Sequence, residues 1–177
     1  MSNYCTNTLK HIAYDCNASK GGIVEAWVTS YKDGIFTVSA DTSGNTFISA
    51  VTGDTSWYHL QFRRNTGSAT SNLTVDDANG VNYVGTDLVL QFARQDTPKR
   101  AAVAALALGG LAVIYKDANG NSWALGEQAP VYASAGVGQT GTAVGDGNNY
   151  QITLHDDNDS FPKMVAASVI EGLSIAS

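Results

Sequence analysis

Turn signals recur along this chain at short intervals, and their spacing constrains the fold more than any other feature of the sequence. In the first third, runs rich in Val, Ile, Phe and Trp alternate with Asp-Gly, Ser-Gly-Asn and Gly-Asp turns at intervals of roughly 8–12 residues. Such spacing is typical of β-sandwiches and β-barrels. The sequence therefore predicts a mainly β chain. Its 177 residues suit a single domain, 1–177, with an N-terminal arm at residues 1–21.

One segment has the composition of a helix rather than of a strand. An Ala- and Leu-rich run predicts a flanking α-helix over about residues 97–108, with Thr97 as its N-cap, Pro98 in the first turn and Gly109-Gly110 at its end. Lys99 lies at the end of the helix dipole that disfavours cations, so we expect an acidic partner for it.

The second half of the chain predicts further strands. Residues 87–94 are nearly continuously apolar and indicate a central strand, and Tyr150, Ile152 and Leu154 alternate as one buried face would. We also expect strands at residues 130–135 and 163–170, a loop at residues 136–149, and an acidic turn at residues 156–159.

Residues 65–86 form a predicted hairpin of unusual polarity. Asn79-Gly80 is a strong turn signal, but the flanking segments carry few large apolar residues. A hairpin that buries no face in its own domain is marginally stable, so we expect a neighbouring subunit to cover it. The predicted intersubunit residues in and beside this hairpin are Arg63, Arg64, Asn72, Asp76, Asp77, Asn79 and Tyr83.

The charge distribution argues against nucleic-acid binding. Charged residues make up only 15% of the chain, the net charge is −6, and no run of Lys or Arg is present. Neutralising phosphates requires clustered cations. The N-terminus has no apolar signal segment, no stretch approaches the length of a membrane span, and Cys5 and Cys16 are read as two free thiols.

Several sequence patterns resemble motifs for catalysis or cofactor binding, but none has the flanking structure that such a motif requires. Gly136, Gly138 and Gly141 match G-x-G-x-x-G, but no helical pattern follows them. The three histidines are far apart in sequence, and no G-x-S-x-G elbow is present. We therefore expect no catalytic activity, no cofactor and no metal. The alternative function is a carbohydrate-binding or adhesive module on a virion surface, in which the three tryptophans, Trp27, Trp57 and Trp123, would stack on sugars.

Three stretches of the second half carry a family resemblance: residues 111–126, residues 138–154 with the strand Tyr-x-Ile-Thr-Leu, and residues 161–170. Their order resembles that of structural proteins from crAss-like phages that infect Bacteroidetes. The layout of residues 22–172 is similar to the tail-tube fold, a β-sandwich with one flanking helix and a long hairpin that reaches a neighbour.

The resemblance implies a function in the virion. Members of that family form rings of 6 or 12 identical subunits around a DNA channel, as tail tube, hub or connector proteins. It implies other tail or neck proteins as partners, DNA passing without specific binding, no membrane anchor, and synthesis in the bacterial cytoplasm. Because carboxylates repel phosphate at close range, the acidic residues of the C-terminal third are the candidate channel lining: Asp146, Asp156, Asp157 and Asp159.

Overall fold

The computed structural model describes residues 10–53 and 56–176, and within these ranges the chain is mainly β. The strands are β1 (Ile23–Ser30), β2 (Phe36–Ala40), β3 (Thr46–Val51), β4 (Tyr58–Leu60), β5 (Ser68–Asp76), β6 (Val81–Ala93), β7 (Leu111–Asp117), β8 (Ser122–Leu125), β9 (Tyr132–Gln139), β10 (Asn149–Asn158) and β11 (Lys163–Met164). The helices are α1 (Thr97–Ala107) and α2 (Ala167–Glu171). The first nine residues of the predicted N-terminal arm, including Cys5, lie outside the described residues, whereas Cys16 is an exposed free thiol.

Two antiparallel sheets face each other across the main core. One has the strand order β5-β6-β10-β9 and the other the order β11-β8-β7-β1-β4. Alternate residues of β6 and β10 point into the space between the sheets, as the pattern of Tyr150, Ile152 and Leu154 predicted. The buried residues of this core are Ile23, Ala26, Val28, Leu88, Leu90, Phe92, Leu106, Leu111, Val113, Tyr115, Leu125, Val131, Ile152 and Leu154.

The five-stranded sheet is covered on its other face as well. The hairpin of β2 and β3, together with α2, packs there around Trp27, Ile48 and Trp57. Strand β7 is therefore buried on both faces, which explains its continuous apolar run from Leu111 to Tyr115. On the outer face of the four-stranded sheet, by contrast, the outward-pointing residues of β5, β6 and β10 are exposed or half-buried.

The predicted flanking helix is confirmed, but its cap is a different residue. Asp96, not Thr97, is the N-cap, and its Oδ1 accepts the backbone N–H of Lys99 at 2.8 Å. The Lys99 ammonium lies 2.6 Å from Asp96 Oδ2, so the acidic partner expected for this lysine lies within the same chain. Asp96 has the extended backbone conformation of an N-cap residue, with φ −148° and ψ 168°, and this lets its carboxylate accept from the first turn of the helix.

Two predicted elements of the C-terminal half are wrong. The expected strand at residues 163–170 is only β11, after which Val165 forms a single bridge to Ile48 and the helix α2 follows, with Val169 buried in the cluster around Trp57. The predicted loop at residues 136–149 begins as strand, since β9 continues to Gln139 by pairing with β10. Partner hydrogen bonds thus override the low strand propensity of this Gly-rich segment.

Candidate functional site

The outer face of the four-stranded sheet is polar and carries no lysine or arginine among its strand residues. The residues of β5, β6 and β10 that point outward are exposed or half-buried: Thr70, Asn72, Thr74, Tyr83, Asp87, Val89, Gln91, Gln151, Thr153, His155 and Asp157. This face follows from strict alternation, because the intervening residues fill the core.

A histidine and two carboxylates form a hydrogen-bonded cluster on this face. His155 Nδ1 lies 2.7 Å from Asp87 Oδ1 on β6, and its Nε2 lies 3.0 Å from Asp157 Oδ1. The ring also lies against Tyr132 of β9, with centroids 5.4 Å apart. Partial burial would lower the pKa of His155, but the hydrogen bonds to Asp87 and Asp157 and their charges raise it above its ordinary value.

Asp156 does not belong to this face, which corrects one predicted lining residue. It points between the two sheets, is 2% exposed, and accepts the backbone N–H of Gly126 at 3.2 Å. Residues 156–158 continue β10 rather than forming a turn. Burial raises the pKa of Asp156 to about 6, with the Gly126 hydrogen bond acting in the opposite direction.

The predicted hairpin at residues 65–86 is built by β5 and β6, and its end extends beyond the rest of the sheet. Strand β10 stops at Asn158, opposite Val84, so the hairpin beyond Val84 has no third strand. The side chains exposed there include four large hydrophobic ones: Leu73, Val75, Val81 and Tyr83. The hairpin turn is closed by Asp76, whose Oδ1 accepts the backbone N–H of Ala78 and whose Oδ2 accepts the amide of Asn79.

The edge strands of this sheet are long and uncharged over most of their length. Strand β5 has nine residues, of which only the last is charged, and β9 has eight residues without charge. Neither contains proline. The edges of the five-stranded sheet differ, since β4 has three residues and β11 two, one of them Lys163. Short strands and lysines are common protection against edge pairing, and β5 and β9 have neither.

The predicted intersubunit residues separate into two groups. Asn72 and Tyr83 lie on the outer face, and the acidic hairpin turn lies at one end of the sheet. Arg63 lines a cleft with Ala93 and Arg94 at the opposite end, and Arg64 follows it.

The predicted acidic lining residues are also dispersed. Asp157 belongs to the outer face, and Asp159 lies beyond the end of β10, where it accepts the side-chain amide of Gln128 at 2.9 Å. Asp146 lies in the loop after β9, where its Oδ2 accepts the backbone N–H groups of Thr142 and Ala143. These hydrogen bonds lower the pKa of Asp146.

Sequence reasoning missed Asp87 and His155 as members of the site. The alternation of Gln151, Thr153 and His155 against the apolar residues of β10 marked an outward histidine. Its two partners depend on the β6–β10 register, which sequence periodicity does not reveal.

The residues proposed for sugar stacking do not form a platform. Trp27 and Trp57 are 6% and 1% exposed, and the indole Nε1 of half-buried Trp123 donates to Asp117 Oδ2 at 3.0 Å. In the described ranges, no group of three or more His, Cys, Asp or Glu side chains is arranged to hold a metal ion. Across the same residues, no helix is long and apolar enough to cross a bilayer.

Comparisons with family models, with curated proteins and with solved structures found no match for this chain.

Proposed function

We propose that this chain is a non-catalytic structural subunit that closes into a ring by pairing β5 of one copy with β9 of the next. In line with the resemblance to tail-tube proteins, the ring is a tail tube, hub or connector in a phage virion, with 6 or 12 copies around a channel for DNA and further tail or neck proteins as partners. The observation that carries the proposal is the pair of long, unprotected edges on a single sheet.

The direction of the two edges supports a ring. Neighbouring strands of the sheet β5-β6-β10-β9 are all antiparallel, so β5 and β9 run in opposite directions. Copies related by rotation about an axis along the strands keep their strand directions. Joining β9 of one copy to β5 of the next therefore makes another antiparallel pair, and the contact is heterologous, as ring closure requires.

The stagger of the sheet also suits a closed barrel. Ser68 is level with Val89 of β6, whereas Gln139 is level with Ala93, four residues further along the same strand. Full overlap of the edges, with Ser68 opposite Gln139, therefore requires a four-residue shift per copy. The shift of four residues, at about 3.4 Å each, runs along the strands, and the four strand spacings of one copy, at about 4.8 Å each, run across them. The ratio of these two lengths corresponds to a strand tilt of roughly 35°, which is within the range of closed barrels.

The outer face of the sheet would then line the channel. Its strand residues are mainly hydroxyls, amides, carboxylates and one histidine, with a few aliphatic side chains such as Val89 and Val137 and without lysine or arginine. A conduit for DNA gains from such a surface, because a channel that neutralised phosphates would retain the DNA.

A charge-pair exchange across the β5–β9 contact tests the proposal and its register. In the fully overlapped register, Thr70 lies opposite Val137 of the neighbouring copy, with both side chains on the outer face. The double variant Thr70→Lys, Val137→Lys places two cations side by side at every contact, so we expect it to be monomeric. The matched variant Thr70→Lys, Val137→Glu replaces the repulsion by an ion pair, so we expect rings.

Native mass spectrometry and negative-stain images provide the measurement. The wild-type chain and the Lys/Glu variant should give one closed oligomer with a central hole. A wild-type chain that stays monomeric at every concentration, or a Lys/Lys variant that still forms the wild-type ring, would contradict the proposal.

A further inference from the structure

The two ends of the four-stranded sheet carry opposite charge. Along β6, which spans roughly 40 Å, the acidic hairpin turn lies at one end and an arginine-rich group lies at the other. Residues 65–93 contain three aspartates and no lysine or arginine, whereas Arg63, Arg64 and Arg94 flank this segment. The molecule is therefore electrically polar along its strand direction.

The arginine end contains a cleft of about 380 Å³. Arg63 and Arg94 line it, and among the described residues neither guanidinium lies within 4.0 Å of a carboxylate oxygen, although the charge of Arg94 acts on Asp96, which is paired with Lys99. Asp146, the one carboxylate in the lining, already accepts two backbone N–H groups of its own loop. Arg94 has a φ of 64°, a left-handed conformation that costs a non-glycine residue free energy.

A buried polar atom at the same cleft lacks a partner. Asn149 lines the cleft, is 3% exposed, and has no hydrogen bond to its Oδ1 among the described residues. Leaving a buried acceptor unsatisfied is costly. That Oδ1 has less than 1 Å² of accessible surface, so an occupant of the cleft does not reach it, and the cleft fits an occupant that brings negative charge for the arginines.

The acidic hairpin turn has this chemistry. Asp77 is exposed and takes part in none of the hydrogen bonds that close the turn, and Asp76 holds a second negative charge beside it. The N–H groups of Ala78 and Asn79 and the side-chain amide of Asn79 all donate to Asp76, so the exposed carboxylate of Asp77 is the group that the turn offers to a partner. It is the end of a two-stranded projection, so it can reach a second molecule without displacing the sheet.

We infer that the acidic hairpin turn of one copy docks in the arginine cleft of a second copy, so that copies associate head to tail along their strand direction. This contact uses different residues from the β5–β9 edges. If the proposed ring forms, the contact stacks one ring on another, and if the ring does not form, it produces linear chains of single copies.

A complementation experiment with two charge-reversed variants of the full chain tests this contact. The cleft variant carries Arg63→Glu and Arg94→Glu, and the turn variant carries Asp77→Lys and Ala78→Lys, which leaves Asp76 in place to close the turn. We expect each variant alone to need at least about tenfold higher concentration than wild type to associate head to tail. Mixed together, their reversed charges are complementary, so we expect association to return.

Sedimentation velocity and negative-stain images measure stack length, and the melting temperature of each variant checks that it folds. Arg100→Glu, an exposed reversal on α1 outside the cleft, is the matched control and should stack like wild type. Wild-type stacks should also dissociate between about 0.05 and 0.5 M salt, a readout that needs no variant.

Three results would overturn the inference: stacking of either variant at wild-type concentrations, no recovery in the mixture, or wild-type stacks that are insensitive to salt. If wild-type copies formed linear chains but no rings, the proposed β5–β9 pairing would be wrong and the head-to-tail contact would stand.

Discussion

Asp156 is buried between the two sheets, where its ionised form is poorly solvated. Because burial raises its pKa to about 6 from the usual 3.8, the folded state holds this proton more tightly than the unfolded state does. The contribution of Asp156 to the free energy of unfolding should therefore be fully present below about pH 4 and fall by about 3 kcal/mol between pH 4 and pH 7.

Asp156→Asn should remove this part of the pH dependence. We expect urea unfolding of the variant to show a stability gain over wild type at pH 7.5 that shrinks or disappears at pH 4. Asp77→Asn, at an exposed carboxylate, is the matched control and should parallel wild type at both pH values. A constant difference between Asp156→Asn and wild type across this range would contradict the assignment.

Protonation of His155, like that of Asp156, stabilises the folded state, although His155 lies on the outer face of the four-stranded sheet and Asp156 points between the sheets. A neutral imidazole has one N–H, so only the protonated ring donates to both Asp87 and Asp157. Since the folded pKa is raised, this stabilisation is fully present below about pH 6.5 and is lost as the pH rises through the folded pKa. The cluster is partly exposed, so we expect roughly 1 kcal/mol or less.

His155→Gln should therefore destabilise the protein more at pH 5.5 than at pH 8.5. Titration of the imidazole by NMR gives the direct measurement, and Asp87→Asn should lower the observed pKa of His155. A ring that titrates below its ordinary value in the wild-type chain would show that the two carboxylates do not hold it.

At the level of elements, α1 begins with a single side-chain cap. Asp96→Ala removes the acceptor of the Lys99 N–H and should lower the free energy of unfolding by about 1 kcal/mol. Thr97→Ala, at the residue that composition alone favoured, should change it by no more than about 0.5 kcal/mol. Urea unfolding of the two variants side by side distinguishes them, and an equal loss for both would refute the assignment of Asp96 as the cap.

The strand β9 illustrates what local pattern misses. Its Ala-Gly-Val-Gly sequence has low strand propensity and predicts a loop, yet β10 pairs with it from Tyr132 to Gln139. The segment 163–170 shows the reverse error, because α2 forms where apolar residues pack on β3 and Trp57. The second half of β6, predicted as a strand at residues 87–94, and helix α1 were predictable, since a continuous apolar run and an Ala-rich segment that ends in two glycines need no information from distant residues.

For the whole molecule, the two sheets differ in what their edges expose. Assembly through β5 and β9 should slow amide hydrogen exchange in both strands, because their outward N–H groups gain partners. The short edges β4 and β11 provide an internal control and should exchange equally fast in monomer and assembly. Hydrogen exchange of the wild-type ring against the Thr70→Lys, Val137→Lys variant gives the comparison, and equal rates in β5 and β9 would rule out edge pairing.

Which charged residues lie close together also depends on the fold of the whole molecule. Arg63 and Asp76 are near neighbours of one predicted hairpin in the sequence, yet they lie at opposite ends of the four-stranded sheet because β5 runs between them. A segment of extended chain separates its ends by about 3.3 Å per residue, so sequence proximity is a poor guide to which charges act together.

The sequence by itself determined the mainly β fold, the place of α1, the buried face of β10 and the polar hairpin at residues 65–86. These features depend on residue periodicity, composition and turn chemistry, which are local. Only the tertiary structure decided that Asp156 is buried while Asp157 faces outward, that His155 lies between two carboxylates, and that β5 and β9 are unprotected edges. Each of these depends on which strands pair and in which register, and such pairing is set by contacts between residues far apart in the chain.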